Sequence, residues 1–204
     1  MRRRAGKAMD ARRPDIWIVR HGETDWSRRG RHTGRTDAPL TAAGEREAIA
    51  LRRWFGGRRF ARVLSSPLSR AWETCRLVGY GDVARAEDDL REWDYGFYEG
   101  RTTAEIQLEV PGWTIWDGEV PGGETAAEVG RRADRIIRQA TEAGGDVALF
   151  AHGHLLRVLA ARWLGLWPAE GRLFALGTSS IGVLGYEGVF RVIRAWNLTA
   201  EIRP

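Results

Sequence analysis

The sequence predicts an α/β protein of three layers, a sandwich with helices on both faces of a mostly parallel central sheet. Two short apolar runs, 15–19 and 146–151, have the near-continuous hydrophobicity of strands that are covered on both faces. Patterns typical of strands and of helices alternate along the chain, which favours a parallel sheet with helical connections. The 204 residues suffice for one domain, which we expect to span 14–204.

The first half of the chain predicts strands and helices in alternation. A loop rich in Gly, Arg and Thr, 27–39, follows the first strand. Thr41 is a suitable N-cap for a helix whose apolar residues recur at helical spacing as far as Phe55. A second strand, 62–65, then leads into a helix that we expect to end near Gly79.

The second half continues the alternation and closes the sheet with a hairpin. Its predicted elements are a strand at 83–86, a helix at 102–110 that Pro111 ends, a loop at 111–123, a helix at 124–142, the strand at 146–151, a helix at 154–164, and strands at 180–186 and 190–196. We expect the hairpin to turn over 187–188.

The net charge of +5 lies in residues 1–13, where six basic residues stand against one acidic residue. Such a tail can bind nucleic acid, but no aromatic residue lies among these charges as base stacking would require. We therefore predict no nucleic-acid partner. The segment is interpreted as a disordered leader, or as a translation start placed too early with Met9 as the true start.

Other features narrow the class of protein. No apolar run approaches the roughly 18 residues of a membrane-spanning helix, which predicts no membrane partner. The single cysteine, Cys75, excludes an intrachain disulfide framework and a cysteine-rich zinc site. We expect a cytoplasmic protein in which Cys75 is a small core residue.

The first strand ends directly in Arg20-His21-Gly22. Ligands bind at the carboxyl edge of the strands in open α/β sheets. A guanidinium forms planar, bidentate hydrogen bonds, and an imidazole is a nucleophile near neutral pH, so this pair suits a phosphate. Alone the motif is weak, because a histidine at a strand end is commonly structural.

Three further segments give the motif its weight. The strand at 146–151 ends in His152-Gly153, which would face His21 if the two strands are neighbours. Arg70 falls on the first turn of a helix after a strand, where backbone amides and a guanidinium favour an anion, although a surface salt bridge is the default for such an arginine. The polar segment 90–96 can place a carboxylate over the cleft.

Four motifs, in this order, resemble the histidine phosphatase superfamily, also called phosphoglycerate mutase-like. They are Arg-His-Gly-Glu-Thr at 20–24, Ser-Ser-Pro-Leu-Ser-Arg-Ala at 65–71, Leu-Arg-Glu-Trp-Asp-Tyr-Gly at 90–96 and Ala-His-Gly at 151–153. Extended motifs at 33–37, 90–100 and 151–157 are most similar to the sedoheptulose-1,7-bisphosphatase branch. The resemblance implies a small-molecule phosphate ester, a sugar phosphate or bisphosphate, as substrate and inorganic phosphate as product.

The resemblance also implies a mechanism, that of a metal-independent phosphatase acting through a phosphohistidine. His21 would attack phosphorus with one ring nitrogen while the other donates to a backbone carbonyl. Arg20, Arg70 and an imidazolium at His152 would surround the phosphoryl oxygens, so that neither metal nor cofactor is needed. Glu92 would protonate the leaving oxygen and later deprotonate water. Spacing alone does not choose among the acidic residues of this segment, and the resemblance selects Glu92.

Substrate contacts follow from the same resemblance. The candidates are Ser27, Thr33, Gly34, Trp93, Tyr95, His154 and Arg157. Ser27 stands where many mutases of the superfamily have asparagine, and a weaker phosphate contact would follow. His154 and Arg157 share a helix face and could reach the distal end of a substrate, although a capping or surface role is an equal alternative. Glu23 is interpreted as a structural partner that orients the loop after the first strand.

Three alternatives stay open at this stage. A phosphoglycerate mutase would use the same residues, but the short stretch 100–123 and the chain end soon after Trp196 favour hydrolysis. A metalloprotein could be built on His152 and His154, for which no third ligand is evident. A binding protein could keep the fold without catalysis. The oligomeric state is open, a dimer being one option.

Overall fold

The computed structural model describes residues 13–200. The predicted basic leader therefore lies, except for Arg13, outside the described residues, and the domain boundary at residue 14 stays a prediction. Within the described part of the chain, no helix is long and apolar enough to cross a membrane.

The described residues form six strands and seven α-helices. The strands are β1 Ile16–Arg20, β2 Arg62–Ser65, β3 Ala84–Ala86, β4 Val147–Ala151, β5 Ile181–Glu187 and β6 Phe190–Leu198. The helices are α1 Asp25–Arg28, α2 Ala42–Ala50, α3 Arg52–Phe55, α4 Ser69–Val78, α5 Thr103–Gln107, α6 Ala126–Thr141 and α7 Gly153–Trp163. Short 3-10 helices lie at Asp88–Leu90, Gly96–Tyr98 and Pro168–Leu173.

The six strands form one mixed sheet in the order β3-β2-β4-β1-β5-β6. The first four are parallel neighbours, β5 is antiparallel to β1, and β6 returns antiparallel to β5. The predicted fold class and the closing hairpin are confirmed. Arg20 pairs with Ala151, so the carboxyl ends of β1 and β4 lie side by side.

Both faces of the sheet are buried, which explains the continuous apolar runs. In β1, Ile16 and Ile18 belong to the hydrophobic cluster that includes residues of α6 and α7. Val19 belongs to the cluster on the other face, with residues of α3 and α4. Cys75 is fully buried in that second cluster, as predicted, and burial raises the pKa of its thiol to about 12.

Several predicted boundaries differ from the structure. The helix expected from Thr41 to Phe55 is divided at Leu51 into α2 and α3. The helix expected over 102–110 ends at Gln107. The hairpin turns over Gly188 and Val189, one residue later than predicted, because Gly188 takes a φ of +57°.

Two glycines allow the loop after β1 to lie directly against the start of α2. A Cβ atom at Gly22 would lie 2.5 Å from the carbonyl oxygen of Gly44, and a Cβ at Gly44 would overlap the backbone of Glu23. Thr41 donates its backbone N–H to Glu23 O (2.9 Å) and its hydroxyl to Glu23 Oε1 (2.8 Å). Glu23 therefore orients this loop, as the sequence predicts.

Candidate active site

The structure brings His21 and His152 together at the carboxyl edge of the sheet. The backbone N–H of His21 donates to Ala151 O (3.0 Å), which continues the pairing of β1 with β4. The two ring centroids are 5.2 Å apart, with the planes inclined by 60°. The neighbouring strands thus place both histidines in one cleft.

His21 is held as a neutral imidazole with a defined tautomer. Its Nδ1 lies 2.7 Å from Gly22 O. Because a carbonyl oxygen only accepts, Nδ1 carries the proton and Nε2 keeps its lone pair. Burial lowers the pKa of His21 well below 6.5, and the positive charges of Arg70 and Arg20 lower it further, while the Gly22 carbonyl acts in the opposite direction.

Arg20 lies at the end of β1, against the first residue of α7. A Cβ atom at Gly153 would be 3.1 Å from the guanidinium carbon, so the glycine of the His-Gly motif makes room for this side chain. Arg20 donates through Nη1 to Leu176 O. Its buried Nε–H has no hydrogen-bond partner among the described residues and is a donor that a phosphoryl oxygen can use.

Arg70 is fully buried and joins the histidines to the loop that follows α1. Its Nε donates to His152 Nδ1 (3.1 Å). Its two terminal nitrogens donate to the carbonyls of Thr36 (2.8 Å), Thr33 (2.9 Å) and Gly34 (3.0 Å). Burial lowers the pKa of this guanidinium. The default expectation of a surface salt bridge is wrong for Arg70.

The start of α4 differs from the expectation for an anion site. The backbone N–H of Ser69 donates to Asp37 Oδ1 (2.8 Å), and the Ser69 hydroxyl donates to the same oxygen (2.8 Å). A carboxylate of the chain therefore occupies this helix N-terminus. Of the two groups predicted to hold an anion here, only the Arg70 guanidinium lies at the cleft.

His152 is fully buried, and both of its ring nitrogens have protein partners. Nδ1 accepts from Arg70, so the proton is on Nε2, which donates to Ser66 Oγ (2.8 Å). Burial lowers the pKa of His152 well below 6.5, with Arg70 as the next contribution. The expected imidazolium is thus corrected to a neutral imidazole, because cations surround it and water does not.

Glu92 is 8% exposed and accepts three backbone hydrogen bonds. Oε1 accepts from Trp93 N (2.9 Å) and Leu155 N (2.9 Å), and Oε2 accepts from His154 N (3.1 Å). Two of these donors belong to the first turn of α7, where the helix dipole favours negative charge. Glu92 also raises the pKa of both Arg20 and Arg70, which places it within electrostatic range of the two guanidiniums.

The predicted contacts from the loop are occupied within the protein. Ser27 caps α1: its hydroxyl donates to Thr24 O (3.0 Å) and accepts from Thr24 N (2.9 Å). Thr33 donates its hydroxyl to Arg31 O (3.1 Å). Gly34 offers no side chain, and its backbone is bound on both sides. Substrate contacts by these three residues stay predictions.

The residues beyond the histidines form an aromatic wall. Tyr95 is buried, and its hydroxyl shares a hydrogen bond of 2.6 Å with His154 Nδ1. Arg157 lies over the ring of Trp116, 4.5 Å from its centroid. Arg157 donates through Nε to Gly171 O (3.1 Å) and through Nη2 to Arg172 O (3.1 Å). Burial lowers its pKa, and the positive charge of Arg20 lowers it further.

The role of Trp93 as a substrate contact stays a prediction. Its side chain is fully buried, and its Nε1 donates to Glu124 O (2.7 Å). It packs edge-on against Trp116, with ring centroids 6.0 Å apart. The indole belongs to the hydrophobic core, and its N–H is satisfied by a backbone carbonyl just before α6.

The alternative of a metal site at His152 and His154 finds no geometric support. The Nδ1 atoms of these rings have different partners, Arg70 and Tyr95. Among residues 13–200, no group of three or more His, Cys, Asp or Glu side chains could hold a metal ion.

Two supporting residues escaped the sequence analysis. Glu99 accepts from Gly34 N with both carboxylate oxygens (2.9 and 3.0 Å) and from Thr36 N (3.0 Å). Arg132, on α6, donates to backbone carbonyls next to Glu92. For Arg132 the only available signal was charge inside an amphipathic helix, which is typical of a solvated face. Glu99 lies in the motif at 90–100, where spacing alone does not separate it from the other acidic residues.

Comparison with known proteins agrees with this geometry. Residues 16–199 match the model of the histidine phosphatase superfamily (branch 1). An acid phosphatase of Mycobacterium tuberculosis is 38% identical over 200 residues, covering 96% of this chain and 98% of that protein. A sedoheptulose 1,7-bisphosphatase of Saccharomyces cerevisiae is 37% identical over 186 residues, covering 75% and 68%. The solved structure of an open reading frame product of M. tuberculosis has a TM-score of 0.88 at 38% identity, covering 92% and 99%.

The chain belongs to the histidine phosphatase superfamily, as its four motifs predict. The predicted class of enzyme, a phosphoric monoester hydrolase, is confirmed by the same comparisons.

Proposed function

We propose that the protein is a metal-independent phosphatase that hydrolyses a sugar phosphate or bisphosphate through a phosphohistidine at His21. The hydrogen bond from His21 Nδ1 to Gly22 O carries this proposal. It leaves Nε2 unprotonated in a cleft whose charge comes from guanidiniums. A neutral imidazole of fixed orientation is the form that can attack phosphorus.

In the first step, His21 Nε2 forms a bond to phosphorus while the bond from phosphorus to the substrate oxygen breaks. Glu92 gives its proton to that leaving oxygen, and the alcohol departs. Arg20 and Arg70 balance the charge on the phosphoryl oxygens. The incoming phosphate dianion favours the protonated form of Glu92, since two like charges would otherwise face each other.

In the second step, water forms a bond to phosphorus and the bond to His21 Nε2 breaks. Glu92 takes the proton from water, which restores its starting form, and inorganic phosphate leaves. A direct contact of His152 with the phosphoryl oxygens requires that its Nε2–H exchange Ser66 for phosphate. A bound dianion would favour this exchange, because a charged acceptor forms a stronger hydrogen bond than a hydroxyl.

The proposed substrate class draws on two observations. One similar protein is named a sedoheptulose 1,7-bisphosphatase. In this chain, Arg157 and His154 both pack against the ring of Trp116, and a second phosphate or a polar sugar end bound beside this ring would meet the Arg157 guanidinium. Tyr95 and His154 supply hydrogen-bonding groups on the same wall. The cytoplasmic location stays a prediction, and so does the absence of a nucleic-acid partner.

The test is a search for the phosphorylated enzyme. Phosphate-labelled substrate mixed with the protein and quenched in alkali should leave label on the wild type and none on His21→Ala, because phosphohistidine survives alkali. Turnover should persist in the presence of a chelator. Label that remains on His21→Ala, or turnover that the chelator abolishes, would overturn the proposal.

A panel of esters then identifies the reaction. Sugar mono- and bisphosphates, p-nitrophenyl phosphate and 3-phosphoglycerate are compared by kcat/KM, the last with and without a bisphosphate activator. Release of inorganic phosphate supports hydrolysis. Conversion of 3-phosphoglycerate to its isomer without phosphate release would identify a mutase instead.

A further inference from the structure

Glu92 lies in a segment, residues 89–94, that begins in the 3-10 helix Asp88–Leu90 and continues without regular structure; we name it the acid segment. No strand of the sheet passes through it. The carboxylate of Glu92 is held by the start of α7, but a carboxylate keeps its position only if its own backbone is fixed as well. The groups that fix that backbone are Arg132 of α6 and Glu124, which lies just before α6.

Arg132 reaches three backbone carbonyls of the acid segment through one guanidinium. Its Nη1 donates to Asp89 O (2.8 Å) and Arg91 O (2.8 Å), and its Nη2 lies 3.4 Å from Glu92 O. The planar fork of an arginine can reach several carbonyls at once, which a lysine cannot.

Glu124 fixes the guanidinium and completes the hold on the segment. Arg132 donates to Glu124 through Nε (2.8 Å) and Nη2 (2.7 Å). Glu124 in turn accepts from the backbone N–H of Asp94 (3.0 Å). The side chain of Arg132 is only 12% exposed, so this bidentate ion pair is shielded from water.

Packing fixes side chains of the acid segment, but it does not supply donors for its carbonyls. The side chains of Leu90 and Trp93 are fully buried in the core. A pocket of about 120 Å³ is lined by Glu92, Glu124 and Arg132 among others, and on that side Arg132 is the group that binds the carbonyls of the segment. Loss of the guanidinium would leave these carbonyls without that donor and loosen the backbone next to Glu92.

We propose that Arg132, fixed by Glu124, is the positioning residue for the proton donor Glu92, an inference that rests on the proposed function. Arg132 acts through Glu92 and does not contact the phosphoryl group. Its loss should therefore slow reactions that need a protonated leaving group. Reactions with a good leaving group, and the binding of inorganic phosphate, should change little.

The test compares two substrates in Arg132→Lys. We expect kcat/KM to fall about tenfold for an alkyl ester, β-glycerol phosphate, and less than about threefold for p-nitrophenyl phosphate. The inhibition constant of inorganic phosphate should stay unchanged. The matched control is Arg162→Lys, since Arg162 of α7 forms a bidentate pair with Asp134 of α6 (2.9 and 3.1 Å), away from the acid segment. It should affect neither substrate.

A double variant distinguishes a positioning role of Arg132 from general destabilisation of the protein. In Glu92→Gln, the added Arg132→Lys change should cause no further loss specific to the alkyl ester, because the group that it positions is already gone. If Arg132→Lys does not fold, the charge-neutral pair Arg132→Met with Glu124→Gln serves for the same comparison. Equal losses on both substrates, or full additivity with Glu92→Gln, would overturn the positioning role alone. A Glu92→Gln variant that is indifferent to the leaving group would instead overturn the proposed acid.

Discussion

The two sides of the cleft are built differently. On the phosphate side, His21 and His152 follow neighbouring strands, so the sheet itself sets their positions. On the acid side, Glu92 lies outside regular structure, where its carboxylate accepts from backbone N–H groups of α7 and the Arg132 side chain of α6 binds the backbone beside it. Strand ends are placed by the fold, whereas the proton donor is placed by hydrogen bonds. The two sides should therefore fail in different ways when residues are replaced.

The largest effect that distinguishes the sides is expected for Glu92→Gln. The amide keeps an oxygen for the N–H groups of Trp93 and Leu155 but has no acidic proton to give. We expect kcat for alkyl phosphates to fall roughly 10²–10⁴-fold and the rate on p-nitrophenyl phosphate to fall far less. Equal losses on both substrates, measured in parallel assays, would contradict an acid role.

A change on the phosphate side should be smaller but indifferent to the leaving group. Arg70→Lys keeps a charge but loses the fork that reaches His152 and the loop carbonyls. We expect kcat/KM to fall roughly 10²–10³-fold on both substrates, with weaker inhibition by inorganic phosphate. An unchanged phosphate affinity would show that Arg70 only holds the loop.

Glu99→Gln should cause a smaller loss on the phosphate side. The carboxylate of Glu99 binds the amides of Gly34 and Thr36, whose carbonyls Arg70 binds from the other side. Loss of its charge should raise KM and the phosphate inhibition constant roughly fivefold, which corresponds to about 1 kcal/mol. The ratio between the two substrates should stay constant. Glu105→Gln, which removes a charge from an exposed helix cap, is the control.

The smallest expected effect is a pH dependence that is nearly flat. Burial and two guanidiniums lower the pKa of His21 well below 6.5, and the neutral ring is the nucleophile. As the pH falls from 7 to 5.5, the folded protein should therefore keep its nucleophile unprotonated. The rate at saturating p-nitrophenyl phosphate should show no decrease with an apparent pKa near 6.5. A decrease of this rate with an apparent pKa near 6.5, without a matching decrease in substrate binding, would contradict a neutral His21.

The sequence predicted the phosphate side better than the acid side, for a physical reason. Arg20, His21 and His152 directly follow apolar runs, and a parallel sheet brings such strand ends to one edge. Arg70 was predicted on the first turn of its helix, but its bonds to the loop at 33–36 were not, because they join residues more than thirty positions apart.

The role of Arg132 could not be predicted from the sequence for a different reason. All but one of the 32 basic residues are arginines, so residue type does not distinguish a buried guanidinium from a solvated one. Trp93 shows another limit: its place in the motif predicts a substrate contact, but the complete burial of its indole in the core was not predicted. Hydrophobic periodicity predicts which side chains are buried in helices and strands, but a segment without regular structure has no such periodicity.

The contact between Gly22 and Gly44 has a consequence for how the protein tolerates change. Since neither position has room for a single methyl group, the backbone after the nucleophile and the first turn of α2 form one rigid joint. A Gly44→Ala substitution, on a surface helix, would push that backbone apart and carry His21 with it. The accuracy of the nucleophile thus depends on a residue that no substrate ever meets.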